Sequence, residues 1–116
     1  MNVEDLRKYC LSLRGAEETF PFDNVTLVMK VGGKIFAIIP LDVAETSISL
    51  KCHPNLAVEL RERYNCVKPG YHLNKVHWNT VFVTSEITTL QVKGWIDASY
   101  NLIKSSLPQK IRRALE

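Results

Sequence analysis

The sequence contains no run of about 18 apolar residues, so no transmembrane helix is expected. The N-terminus, MNVEDLRKYC, carries acids early and has no apolar core segment, which argues against a secretory signal. Cysteine is sparse and unpatterned. Cys10, Cys52 and Cys66 are odd in number and far apart, without the close pairs of a zinc site, and read as reduced thiols packed as small hydrophobes in a cytosolic protein. No nucleophile elbow occurs, and Gly32-Gly33 lacks the extended glycine pattern of a phosphate loop. Cys52 and His53 are neighbours in sequence, which does not aim one at the other's proton. Glu17-Glu18 is the paired-carboxylate candidate and reads as a solvated loop. Of the three histidines, His53 precedes a helix as a local cap or surface residue. His72 and His77 are five apart, which on a strand places them on opposite faces with no acidic ligand between them. Catalysis, a metal site and a bound cofactor are therefore not expected.

Hydrophobic residues make up 46% of the 116, enough for one ordinary globular core. The net charge of +3 is unevenly spread. Residues 1–50 carry 5 Lys/Arg against 7 Asp/Glu, or −2; residues 51–116 carry 10 against 5, or +5. A positive second half permits an anionic partner without demanding one.

Asn2 is placed to cap a first helix, with Glu4 and Asp5 at its positive end and Val3, Leu6, Cys10 and Leu13 as an apolar stripe ending near Gly15. Phe20-Pro21-Phe22-Asp23-Asn24 reads as an extended aromatic loop. Two β-rich runs, Val25 to Val31 and Lys34 to Ile39, flank Gly32-Gly33, a hairpin signal because the favoured tight turns need positive φ. Thr46 to Lys51 alternates with Ile48 and Leu50 inward and completes an antiparallel meander of three strands. His53-Pro54-Asn55 opens a second helix with Leu56, Leu60 and Tyr64 as its buried face. His77 to Val83 is again β-rich. Thr88 and Gln91 fit a capping box for a helix carrying Val92, Trp95, Ile96, Ser99 and Ile103, where Gly94 suggests close packing. Pro108 begins a basic tail with a last helical turn or two. The resulting layout is a single α+β domain over 1–116, with helices packed on an antiparallel sheet in the order α-β-β-β-α-β-(β)-α-α.

The most informative stretch is Val67 to Val83, VKPGYHLNKVHWNTVFV. Lys34, Lys68 and Lys75 could neutralise phosphates, and His72, Asn74 and His77 could bond phosphates or base edges. Tyr71 and Trp78 offer flat faces for stacking. The same rings could equally serve packing, and Asn74 and Asn79 could cap turns.

Several blocks occur together in order: Phe20-Pro21-Phe22, Lys30 to Ala37, Ser49-Leu50-Lys51-Cys52, Pro69 to Lys75, His77 to Val81, Ser99-Tyr100 and Leu107-Pro108-Gln109-Lys110. In this combination the chain resembles the MmcQ/YjbR family over nearly its whole length. Val76 departs from the pattern, which has a second basic residue after Lys75. The resemblance implies a CyaY-like fold with a "double wing" of hairpins, and a bacterial cytosolic protein that binds DNA weakly through the phosphate backbone. The fold also resembles that of frataxins, which use acidic surfaces for iron. Here Glu4 and Asp5 stand beside Arg7 and Lys8, so iron handling is not expected. The alternative is a small-molecule or protein-interaction module: Phe20, Phe22, Tyr71, His72 and Trp78 would line a cleft, anchored by Asn74 and Lys75. Either way a monomer is expected.

Overall fold

The computed structural model describes residues 1–116. Asn2 caps α1 (Val3–Ser12): its side chain accepts from the Asp5 amide while Asp5 accepts from the Asn2 amide, each at about 3 Å. The chain then turns through Gly15, at φ 76°, into a short strand, β1 (Ala16–Thr19). The solvated loop expected at Glu17-Glu18 is therefore an edge strand, paired antiparallel to β2. Its charges suit an edge, where they discourage pairing with another chain. Glu18 also receives two bonds from Arg7, at 2.6 and 2.7 Å, which hold its carboxyl below the usual range.

The expected meander follows as β2 (Thr26–Val31), β3 (Lys34–Pro40) and β4 (Ser47–Lys51), with Gly32 and Gly33 at positive φ in the first turn. Helix α2 (Pro54–Arg63) starts at His53, whose side chain makes no capping bond. Its buried residues are Ala57 and Leu60; Leu56, expected inward, is partly exposed, and Tyr64 lies just past the last turn. Two more strands, β5 (Val67–Pro69) and β6 (Trp78–Phe82), precede α3 (Thr89–Ser105) with its Thr88/Gln91 capping box. No atom within 4 Å awaits a Cβ at Gly94, so close packing is not the reason for glycine there. A short helix, α4 (Gln109–Ala114), ends the chain. No helix is long and apolar enough to cross a membrane.

The six strands form one antiparallel sheet in the order β1-β2-β3-β4-β6-β5. Directly paired residues share a face. Met29, Ala37, Leu50 and Asn79 follow one another across the strands on the first face. That face is helical: the Asn79 amide donates to the Ala57 carbonyl in α2, and Ser99 of α3 donates to the Phe36 carbonyl. Tyr9 of α1 donates to Asp97 of α3 at 2.6 Å, tying those helices together and pushing the phenol up to about 12. The core lies between helices and sheet, around Leu6, Leu27, Met29, Phe36, Ile39, Ile48, Val92 and Ile96. The other face, open and opposite the helices, follows Val28, Ile38, Ser49, Thr80 and Lys68 across the strands.

Candidate functional site

Alternation puts hydroxyls among apolar residues on the open face. In β4 the residues flanking Ile48 are serines, so Ser47 and Ser49 point away from the core. Thr80 of β6 stands opposite Ser49, and their hydroxyl oxygens are 2.8 Å apart. The Tyr71 amide donates to Thr80 Oγ1 at 3.1 Å. Two hydroxyl protons share one mutual hydrogen bond, so one O–H remains for another acceptor.

Three loops raise walls around this floor. Phe22 and Asp23 come from the β1–β2 loop, Val43, Ala44 and Glu45 from the β3–β4 loop, and Tyr71, His72 and Leu73 from the β5–β6 loop. Ser47, Ser49, Thr80, Ile38 and Phe82 form the floor between them. The cavity between them, open to solvent on one side, measures about 810 Å³. Its formal charges are carboxylates only. Asp23 accepts from the Val25 amide at 2.9 Å and the Thr26 hydroxyl at 3.1 Å, and these bonds hold its carboxyl below the usual range, hence ionised. Glu45 is exposed and makes no ion pair. No lysine or arginine lines the cavity.

The Val67–Val83 stretch divides between loop construction and this site. Asn74 accepts from the Val76 amide at 2.9 Å and the His77 amide at 3.3 Å, closing a turn. Lys75 donates to the Gly70 carbonyl at 2.8 Å, and Arg61 donates to the Lys75 carbonyl at 2.9 Å. A Cβ on Gly70 would fall 2.8 Å from the Trp78 Cβ, so the loop presses close to Trp78. Tyr71 and His72 are left facing the cavity. Their rings stack at 4.0 Å, tilted by 51°. His72, at φ 57°, is the one non-glycine residue in the left-handed region, which costs roughly 1–2 kcal/mol.

The expected contact residues thus do not assemble as one surface. Tyr71 and His72 meet Phe22 at the cavity. Phe20, Asn74, Lys75, His77 and Trp78 do not line it. Lys34 sits at the hairpin tip opposite Val31 on the helical face, with its ammonium 3.5 Å from the Ser106 hydroxyl. Lys68 lies on β5, two strands beyond β4, opposite Thr80 on the open face. Sequence reasoning passed over Asp23, Glu45, Ser47, Ser49 and Thr80 as site residues. The signal that could have found Ser47 and Ser49 is the alternation of serines with apolar residues in β4; Asp23 and Glu45 lie in loops and carry no such signal.

A two-layer α+β domain, helical on one sheet face and walled into a cavity on the other, is the class of protein these features define. More particularly, the chain belongs to the YjbR family, whose model matches residues 11–102. It is 34% identical to the uncharacterized protein YjbR of Escherichia coli K12 over 99% of this chain and 98% of that one. With the uncharacterized protein YbdF of E. coli O157:H7 it shares 33% over 92% of this chain and 88% of that one. The crystal structure of the Deinococcus radiodurans protein DR2400 superposes with a TM-score of 0.92 at 35% identity, over 98% of this chain and 87% of that one. A Pseudomonas syringae protein at 23% identity and TM-score 0.77, over 89% of this chain and 99% of that one, shares the fold.

Proposed function

We propose that the chain is a small-molecule-binding module whose ligand sits on the open face of the sheet. The observation that carries this reading is the cavity itself. At about 810 Å³ it falls within the roughly 300–1,000 Å³ of ordinary ligand sites, with apolar walls and a few convergent hydroxyls. It is complete within one chain, which suits a monomer. Binding without catalysis is the form proposed. In support, burial raises all three thiols, Cys10 up to about 12, and so keeps them protonated and weakly nucleophilic.

A thermal-shift screen against a broad metabolite panel tests the reading. A true ligand is expected to raise Tm, and Ser47→Leu, which fills the floor, is expected to abolish the rise while leaving the unliganded protein folded. A panel with no stabilising member, or one whose effects survive Ser47→Leu, would overturn it.

One observation favours a second reading, weak DNA binding. α4 packs against the β2–β3 turn, where a Cβ on Gly32 would lie 3.1 Å from Ile111 Cγ2. Five cations belong to these adjoining segments: Lys34 on the turn, Lys104 in the last turn of α3, and Lys110, Arg112 and Arg113 on α4, with Glu116 following. None of the five forms an ion pair. Unpaired cations on one surface suit a phosphate backbone, at a place other than the Val67–Val83 stretch.

A further inference from the structure

We propose that the open-face cavity selects small hydrophobic cations, ligands that join an aromatic or aliphatic body to a protonated or quaternary nitrogen. This rests on the ligand-binding reading above and names the ligand class.

Charge is the first argument. Asp23 and Glu45 are the only formal charges on the walls, and no cation of the protein neutralises either within ion-pair distance. Asp23 spends one carboxylate oxygen on the Val25 amide and the other on the Thr26 hydroxyl. Its negative charge remains, and neutral hydrogen bonds do not cancel it. A phosphate or carboxylate ligand would meet these two anions with no lysine or arginine to offset them. Lys30, Lys51 and Lys68 fall on this face by strand alternation, and none of them lines the cavity. The Asn65 and Cys66 amides hold the Glu86 carboxyl below the usual range, and the Lys68 charge adds to their effect.

The rings are the second argument. Phe22 is 67% exposed and Tyr71 is 73% exposed, so the walls present large aromatic faces to solvent. Neither takes part in the cation–π pairs within the protein, which Lys93 makes with Tyr9 and Lys104 with Tyr100. An aromatic face attracts a cation through its quadrupole, most strongly when water is displaced. Phe82 and Ile38 on the floor supply apolar area for the ligand body, and the spare hydroxyl proton of the Ser49–Thr80 pair can donate to an acceptor on it.

The test uses the full chain and three probes of similar shape: 2-phenylethylammonium, 2-phenylethanol and 3-phenylpropanoate. Each is titrated at low salt while the amide resonances of Ser47, Ser49 and Thr80 are followed by NMR. The cation is expected to bind about 5- to 20-fold tighter than the alcohol, in line with one cation–π interaction plus one partly exposed charge pair, and the carboxylate weakest. Glu45→Gln is expected to bring the cation towards the alcohol's affinity and to leave the alcohol unchanged. Glu62→Gln, the same charge change on α2, should alter neither. If the alcohol or carboxylate equals or exceeds the cation, or if the preference survives Glu45→Gln combined with Asp23→Asn, cation selection by these walls is overturned while the ligand site stands. If none of the probes moves the floor amides at millimolar concentration, cation selection falls; if the metabolite panel also holds no stabilising member, the ligand-binding reading falls with it.

Discussion

The Ser99 hydroxyl donates to the Phe36 carbonyl at 2.6 Å and accepts from the Lys51 amide at 2.9 Å. It occupies a gap in the sheet. β3 and β4 pair at Ala37 with Leu50 and at Ile38 with Ser49, and the next pair in sequence would be Phe36 with Lys51. The strands separate there, and a side chain from α3 completes the bonding that the backbone leaves open. Replacement of Ser99 by Ala would strand a buried carbonyl and an amide, at a cost of about 2–3 kcal/mol. For a domain of this size that corresponds to a Tm lower by on the order of 10 °C. Thermal unfolding should show the drop, and hydrogen exchange should speed up selectively at the Lys51 amide; an unchanged Lys51 amide would remove Ser99 from this role. The helical spacing already put Ser99 on the buried stripe, so its burial was legible. Its partner was not, because Phe36 lies 63 residues away and only the sheet brings it near. Asn74 and Lys75 carry the opposite lesson. Their side chains suggest ligand binding, yet both close their own loop, because a nearby backbone group is an available partner at every loop position.

Among the elements, those with local signals were legible: the N-cap at Asn2, the capping box at Thr88, the Gly32-Gly33 hairpin and the helix after Pro108. β1 was not, because four residues with two adjacent glutamates show neither alternation nor β propensity, and their strand character comes entirely from pairing with β2. The hairpin tip also meets an element that no local rule could place beside it. Gly32 and Gly33 both have positive φ, at 58° and 82°. A Cβ on Gly33 would meet nothing within 4 Å, whereas one on Gly32 would lie 2.5 Å from Leu107 Cδ1, just ahead of α4. Gly33→Ala should therefore cost about 1 kcal/mol, the backbone penalty alone. Gly32→Ala should cost more, because the buried Leu107 side chain must also shift. Paired urea denaturation curves measure the difference. Equal costs would mean that the Leu107 side chain does not press on the hairpin tip in solution.

At the scale of the whole molecule, the positive excess of the second half of the chain is not spread over the sheet. Four of the ten cations of that half, Lys104, Lys110, Arg112 and Arg113, lie at the end of α3 and on α4, while the cavity on the open face carries only carboxylates. A ligand cavity and a polyanion surface would thus occupy separate places and be separable by mutation. If DNA is bound, the phosphates should lie along the α4 corner. Binding of a labelled duplex should then weaken steeply with salt. Changing Arg112 and Arg113 together to Ala should reduce the log–log salt slope by about 2, one for each phosphate no longer neutralised. Lys68→Ala, on the far edge strand, and Glu45→Gln, at the cavity, should leave that slope unchanged. A loss of affinity centred on Lys68 would instead move the DNA to the Val67–Val83 stretch. Absence of binding at low salt with protein at tens of micromolar, about the limit of non-specific association, would remove DNA as a partner. It would leave the cavity as the surface to which a function must be assigned.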